Sequence, residues 1–191
     1  MNAEMIPLNR RLEAEAQAEG RPHLPLKIGI GINSGEVVVG NMGSDQRFDY
    51  SVLGDQVNLA SRLEGQCKTY GVDIIIGDNT QRKAPGLASL ELDLVKVKGK
   101  TAAVRIHTLL GDETVRQSGT FAALSDRHAG MLAAYREQRW AEAMEAIAAC
   151  RDLGGGYPLD GVYALYEERV GAYAANPPGP AWDGVFTAVS K

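Results

Sequence analysis

The sequence lacks the residues that hold small secreted proteins together. Only two cysteines, Cys67 and Cys150, occur among its 191 residues, so no disulfide framework is expected. Its three histidines are scattered, without the spacing of metal ligands. No apolar run approaches the roughly 18 residues that a membrane span needs, and Met1 to Gly20 lacks the apolar core of a signal peptide. We therefore expect free thiols in a reducing compartment, a cytoplasmic location and no direct membrane contact by this segment.

An excess of positive charge is also missing. Lysine and arginine number 20 against 24 acidic residues, which leaves a net charge of −4. This balance predicts no nucleic-acid partner. The hydrophobic content of 45% and the charged content of 23% are ordinary for a globular protein, and the length allows one or two domains.

The N-terminal part predicts a helix followed by a hairpin. Apolar residues recur at helical spacing within residues 5–18. The next segment alternates large apolar residues with small or polar ones, which predicts a strand with these residues on the core face: Leu26, Ile28, Ile30 and Ile32. The turn Asn33-Ser34-Gly35 then predicts a return strand over Glu36 to Asn41.

A second helix is predicted from Asp55 to about Tyr70. Asp55 is a suitable N-cap, and Gly71 is a suitable C-terminal cap. A buried stripe is expected along one face of this helix, formed by Leu59, Leu63 and Cys67. A short strand at 73–77, a brief helix and two strands at 87–97 and 102–109 follow. This order predicts an α+β fold with helices on a largely antiparallel sheet.

The composition changes near residues 111–119. From residue 121 onward the pattern is alanine-rich and helical, with helices predicted at 121–136, 140–152 and 160–174. This part resembles a single tetratricopeptide-type helical hairpin. The aromatic residues of this part are expected in its core rather than in a binding stack: Tyr135, Trp140, Tyr163, Tyr166 and Tyr173.

The most informative stretch runs from Arg47 to Arg62. It places Asn58 and Arg62 one helical turn apart on the same face. An amide and a planar guanidinium suit a site where negative charge develops on a phosphate, because preorganised donors stabilise that charge. Taken alone, the pair is also typical of a solvated helix face, with Asn58 exposed and Arg62 paired to a helix neighbour.

The residues around this pair favour a phosphate site over a solvated helix face. They match at many positions the signature of one enzyme family: Arg47, Asp49, Tyr50, Gly54, Asp55, Val57, Asn58, Ala60 and Arg62, with Gly35, Gly40-Asn41 and Gly43-Ser44 before them. The stretch resembles the class III nucleotidyl cyclases, which convert ATP or GTP into a cyclic nucleotide and pyrophosphate. The resemblance spreads over residues 26–109 and implies a ferredoxin-like cyclase sheet with helices on it.

The resemblance also implies roles for particular residues. Asn58 and Arg62 would be catalytic, and Ser51, Lys98 and Lys100 would bind substrate, Ser51 at the purine and the lysines at the phosphates. Ser51 is otherwise a simple polar strand residue, and the lysines are otherwise the charges that blunt a sheet edge. Adenine is favoured over guanine only by the prevalence of bacterial adenylyl cyclases, so the choice of base stays open.

Family members hold Mg²⁺ or Mn²⁺ with two aspartates that would lie upstream of this sequence, and no metal ligand is predicted here. We therefore expect a fold truncated at its N-terminus and inactive in isolation. Family members work as head-to-tail dimers, so a homodimer is expected. The predicted division is a partial cyclase domain at 1–112, a linker at 113–120 and a helical extension at 121–191. A membrane or sensor region upstream is compatible with the resemblance.

Two other functions compete with an adenylyl cyclase fragment. One is a catalytically silent cyclase-like module that dimerises or binds nucleotide. The other is an interaction protein whose helical part binds a peptide, which would require an exposed groove lined by aromatic residues.

Overall fold

The computed structural model describes residues 2–44, 47–96 and 102–187. In chain order its helices are α1 (Asn2–Ala18), α2 (Asp55–Tyr70), α3 (Asp78–Lys83), α4 (Glu113–Arg116), α5 (Gly119–Arg136), α6 (Trp140–Leu153) and α7 (Asp160–Ala175). Its strands are β1 (Ile30–Ile32), β2 (Val38–Ser44), β3 (Arg47–Leu53), β4 (Ile74–Gly77), β5 (Ala88–Lys96), β6 (Val104–Gly111) and β7 (Phe186–Thr187). The predicted α+β class and the helical C-terminal part are confirmed.

The strands form two separate sheets. The larger sheet has the order β1-β4-β6-β5-β7, and the smaller one is the antiparallel ribbon β2-β3. In the larger sheet β6 runs antiparallel to both β4 and β5, whereas β1 pairs with β4 and β7 pairs with β5 in parallel. The predicted strands at 73–77, 87–97 and 102–109 are confirmed within the described residues.

The predicted hairpin between β1 and β2 is wrong. Ile30 pairs with Ile74 of β4, and Val38 pairs with Leu53 of β3. The predicted turn residues make tertiary contacts instead of closing a hairpin. The Asn33 amide donates to Gln56 Oε1 at 2.7 Å, and the hydroxyls of Ser34 and Thr80 lie 3.0 Å apart. These bonds hold the loop after β1 against α2 and α3, so the chain does not turn back to pair with β1.

The predicted core face of the first strand is also wrong in large part. The strand begins only at Ile30, and most of the predicted core residues are exposed, with exposed fractions of 51% for Leu26 and 36% for Ile28 before the strand and 40% for Ile32 at its end. Strict alternation identifies two faces of a strand, but only the tertiary structure decides whether either face is covered.

Helix α2 matches its predicted length and buried stripe. Leu59, Leu63 and Cys67 are buried, and Gly71 caps the C-terminus in the left-handed region at φ 65°. The N-cap is Gly54 rather than Asp55, because the chain enters the helix at φ 156°, a value that favours glycine. Asp55 instead lies in the first turn, where its negative charge suits the helix dipole.

Gly31 sets the distance between β1 and α2. A Cβ atom at this position would lie 2.1 Å from the Ala60 carbonyl oxygen and 2.4 Å from the Glu64 nitrogen. These are backbone atoms of α2 and cannot swing aside. Glycine is therefore required for the close packing that seats α2 on the sheet.

The helical part shares its hydrophobic core with the sheet. One cluster of buried side chains includes Leu63 of α2, Leu92 of β5, Tyr135 of α5 and Val170 of α7. The Tyr166 hydroxyl donates to the Leu92 carbonyl at 2.6 Å. The helices α5 to α7 therefore pack against the β-sheet as one continuous interior.

A buried ion pair lies inside this shared core. The Asp93 carboxylate is fully buried and accepts hydrogen bonds from Tyr70 at 2.8 Å and from Arg169 Nη1 at 2.6 Å. The Phe186 ring centroid lies 3.6 Å from the Arg169 guanidinium carbon. Burial raises the pKa of Tyr70 well above its ordinary value, and the Asp93 charge adds to this rise.

His128 provides a second polar link between α5 and the sheet. Its Nε2 lies 2.6 Å from the Glu91 carbonyl oxygen, and its Nδ1 lies 3.3 Å from the Tyr163 hydroxyl. With Nε2 protonated, the neutral ring donates to the carbonyl and accepts from the hydroxyl. Burial lowers the pKa of His128, and it also lowers the pKa of His107 on β6.

We expect Gly31→Ala to lower the free energy of unfolding by at least about 1–3 kcal/mol, because the added methyl group overlaps α2 backbone. Gly130→Ala is the matched control. Its Cβ on the exposed side of α5 would meet no atom within 4 Å, so alanine should stabilise the helix by about 0.5–1 kcal/mol. Urea denaturation followed by circular dichroism measures both. Equal stability of the two variants would contradict this packing.

We also expect stability to fall as the pH drops below about 6.5, the ordinary histidine pKa. Burial lowers the pKa of His107 and His128 in the folded chain, so the unfolded chain binds more protons in that range. Each histidine contributes a slope of at most about 1.4 kcal/mol per pH unit, and this slope ends below its folded pKa. Urea denaturation between pH 5 and pH 8 measures the slope. His128→Gln should reduce it, whereas His23→Gln, in the loop before β1, should keep it.

Candidate functional site

The exposed flank of α2 carries Asn58 and Arg62. Leu59 and Leu63 point into the core. Asn58 and Arg62 each precede one of these leucines, so they lie together beside the buried stripe. Asn58 is exposed and Arg62 is half-buried. The predicted proximity on one helix face is therefore present, and neither residue is enclosed in the core.

Neither side chain is engaged by the part of the protein that the structure describes. Among residues 2–44, 47–96 and 102–187, nothing forms a hydrogen bond or an ion pair with the side chain of Asn58 or Arg62. The alternative in which Arg62 pairs with a helix neighbour does not hold in this part of the chain. An amide and a permanently charged guanidinium are thus available to an external ligand.

Ser51 lies on β3, the strand that leads into α2. It pairs with Gly40 across the β2-β3 ribbon. Its hydroxyl donates to the Asp49 carbonyl at 3.3 Å, which leaves the oxygen able to accept a hydrogen bond. The side chain is half-buried. Ser51 therefore retains hydrogen-bonding capacity within the chain segment that enters the helix of Asn58 and Arg62.

The predicted phosphate ligands Lys98 and Lys100 lie outside the described residues. The strands on either side of them are described, since β5 ends at Lys96 and β6 begins at Val104. Their assignment as substrate ligands stays a prediction.

The described residues do not fit a catalytic Mg²⁺ or Mn²⁺ ion. Within the part of the chain that the structure covers, no three or more histidine, cysteine, aspartate or glutamate side chains cluster so that they could hold a metal. Asp78, at the start of α3, forms an ion pair with Arg82 at 3.2 Å, and Asp93 is committed to Arg169. We therefore derive no chemical step through a metal.

Asp93 is a residue whose role the sequence analysis missed. It is fully buried on β5. A register shift between Glu91 and Asp93 interrupts the regular pairing of β5 with β6. The strand holds two acidic residues that alternate with leucines, Glu91 and Asp93, which is the pattern of a strand with one solvated face, so no signal in the sequence marks Asp93 as buried.

The aromatic residues of the helical part form core, as predicted. Tyr135, Tyr163 and Tyr166 are each at most 1% exposed. Trp140 and Trp182 are partly buried and have ring centroids 6.0 Å and 5.2 Å from that of Tyr135. Their burial removes support for an aromatic-lined peptide groove. None of the helices in the described ranges is long and apolar enough to cross a membrane.

Comparison with known proteins identifies the family of the N-terminal part. The family model described as the adenylate and guanylate cyclase catalytic domain matches residues 5–111. An adenylate cyclase of Anabaena cylindrica is 40% identical over 105 residues, which are 52% of this chain and 21% of that protein. Adenylate cyclase 1 of Rhizobium meliloti is 33% identical over 108 residues, 56% of this chain and 16% of that protein. The chain thus spans about a fifth or less of the length of these relatives.

Two solved cyclases also resemble the chain. The adenylyl cyclase CyaB from P. aeruginosa is 32% identical, with a TM-score of 0.43, over 55% of this chain and 54% of that one. The guanylyl cyclase Cya2 is 35% identical, with a TM-score of 0.42, over 55% of this chain and 51% of that one.

Asn58→Ala and Arg62→Ala should each leave the free energy of unfolding within about 0.5 kcal/mol of wild type, because neither side chain has a partner among the described residues. Arg169→Ala is the contrasting control. It leaves the buried Asp93 charge unpaired and should cost about 3–5 kcal/mol. Thermal and urea denaturation measure all three. A loss of more than about 1 kcal/mol in either α2 variant would show that the residue is structural.

Proposed function

The chain belongs to the adenylate and guanylate cyclase catalytic domain family, and on that premise we propose that it supplies one half-site of an adenylyl cyclase. This half-site binds the phosphates and stabilises the transition state as ATP becomes cyclic AMP and pyrophosphate. The observation that carries the proposal is the pair Asn58 and Arg62, side by side on α2 and unengaged among the described residues.

The chemistry of cyclisation explains why these two side chains suit the role. The ribose 3′-hydroxyl loses its proton to solvent and attacks the α-phosphate, the bond to pyrophosphate breaks, and negative charge grows on the phosphate oxygens. Arg62 would hold two oxygens with its planar fork, and Asn58 would donate from its amide. Donors already fixed on a helix need no reorganisation as the charge develops.

The nucleotide contacts extend this proposal. Ser51 would meet the purine edge, and its accepting oxygen remains available beside its bond to Asp49. Lys98 and Lys100 would hold the terminal phosphates. The relatives from Anabaena cylindrica and Rhizobium meliloti carry the name adenylate cyclase, which supports ATP. The family model covers guanylate as well as adenylate cyclases, so the experiment must include GTP.

A homodimer is part of the proposal. The β2-β3 ribbon is separate from the larger sheet, and a two-stranded ribbon is rarely stable alone. Large apolar residues on and beside it are exposed, with exposed fractions of 67% for Val38, 51% for Val39, 78% for Tyr50 and 56% for Leu53. Apolar surface concentrated in this way is typical of a protein interface.

Three further proposals concern the activity of the isolated chain, its domain division and its location. We propose that the chain alone does not turn over ATP, since the described residues form no cluster that fits a metal. The division into 1–112, 113–120 and 121–191 is proposed as a division of sequence, although both parts share one core. Both cysteines are free and buried, which supports a cytoplasmic location.

A complementation assay tests the half-site directly. The second component is the catalytic domain of the Anabaena cylindrica relative with alanine at the positions aligned with Asn58 and Arg62. We expect this chain to restore cyclic AMP formation from ATP when the two are mixed. Asn58→Ala or Arg62→Ala should lower the restored rate by about 10²–10³-fold, whereas Gly130→Ala should restore it fully. Cyclic AMP is measured by chromatography with Mg²⁺ or Mn²⁺ present.

Three other outcomes of the assay test the inactive-fragment assignment, the choice of base and the alternative function separately. Cyclic AMP from this chain alone would overturn the inactive-fragment assignment. Cyclic GMP from GTP at a higher rate would overturn the choice of adenine. The alternative function is a silent module that binds nucleotide, and its signature is nucleotide binding by the chain without restored activity in any mixture.

A further inference from the structure

A cavity of about 310 Å³ lies between the sheet and α5, on a part of the molecule distinct from the exposed flank of α2. Residues of β5, β6 and α5 line it, and the end of α3 and Arg116 of α4 complete the wall. His107 of β6 pairs across the sheet with Glu91 of β5, so both side chains face the same side as α5. A cavity of this size accommodates a small organic molecule.

His107 is the first sign that the cavity takes a ligand. Its side chain is only 7% exposed, and among the described residues neither ring nitrogen has a hydrogen-bond partner. Nδ1 is sealed from solvent and has no hydrogen-bond partner among the described residues. A buried polar group without a partner is costly and rare in native proteins. His107 lines the cavity, so a molecule bound there would contact its ring.

Other polar side chains converge on the same space. Gln81, Ser89 and Ser125 line the cavity and have no side-chain hydrogen bond within the described ranges. Together with His107 they offer both donors and acceptors. Several polar groups that converge beside apolar side chains are typical of small-molecule sites.

The charged side chains around the cavity favour an anionic ligand. Glu91 is occupied on both oxygens, since Oε1 accepts from Arg136 at 2.5 Å and Oε2 accepts from Arg105. Arg116 at the rim is exposed, lies 6.0 Å from the Phe121 ring centroid and has no ion-pair partner among the described residues. An unpaired guanidinium favours an anion.

The neighbouring carboxylates and the apolar wall narrow the class further. Glu91 and Asp78 both act electrostatically on His107, and they raise its pKa against the larger effect of burial. Glu91 and Asp78 are themselves paired with arginines, and the single unpaired guanidinium of Arg116 matches a monoanion better than a dianion such as phosphate. Leu90, Phe121 and Leu132 supply apolar wall, which suits a hydrocarbon or aromatic body.

We propose that this cavity binds a small aromatic or aliphatic monocarboxylate, with the carboxylate at Arg116 and the body between β5 and α5 beside His107. The proposal is independent of the cyclase half-site. The cavity is built on the β5-β6 hairpin, whose described ends at Lys96 and Val104 flank the segment that contains Lys98.

Isothermal titration of the full chain with benzoate tests the proposal. We expect saturable binding to one site, and Arg116→Gln should weaken it about tenfold, the usual effect of losing one charge-assisted hydrogen bond. Arg127→Gln is the matched control, because Arg127 lies on α5 but lines a different groove. It should change the affinity less than about twofold. Ser125→Leu, which fills the cavity from α5, should abolish binding while circular dichroism shows an intact fold.

Two further probes check the class of ligand. Benzamide has the same shape without the charge and should bind at least about tenfold more weakly than benzoate. Inorganic phosphate should not compete. No benzoate binding, equal affinity for benzamide, displacement by phosphate, or binding that survives both Arg116→Gln and Ser125→Leu would each overturn the proposal.

Discussion

The buried ion pair between Asp93 and Arg169 is the interaction on which the architecture depends most. It joins β5 to α7, and Tyr70 adds the end of α2 to the same carboxylate. A charge that is fully buried is stable only when a partner of opposite sign and further hydrogen bonds meet it. Three elements from distant parts of the sequence must therefore be in place together.

The same pair explains how the C-terminal segment reaches the sheet. The Arg169 guanidinium lies over Phe186 at 3.6 Å, and Phe186 pairs with Val95 at the edge of β5. Two nitrogens of Arg169, Nε and Nη2, have no hydrogen-bond partner among the described residues. Aromatic faces above a buried guanidinium compensate part of that loss. The helical part is thus an integral layer of the fold.

A second constraint places the candidate site. Gly31 lets β1 approach the backbone of α2, and the bond from Asn33 to Gln56 holds the loop after β1 against the same helix. With the buried stripe of α2 turned to the sheet, Asn58 and Arg62 are left on the outer flank. Packing on one side of the helix therefore decides which side chains the other side presents to solvent.

The sequence by itself determined the local features. Helical spacing placed α2 and α5 to α7 close to their observed bounds, Gly71 ended α2, and the motif around Asn58 and Arg62 identified the family and the pair. These features depend on neighbours within a few positions, since helix periodicity, caps and motif spacing are local. Only the tertiary structure decided that β1 pairs with β4, that Asp93 is buried and that His107 faces a cavity. Each of these depends on a partner far away in sequence, such as Arg169 for Asp93, and alternation along a strand does not name that partner.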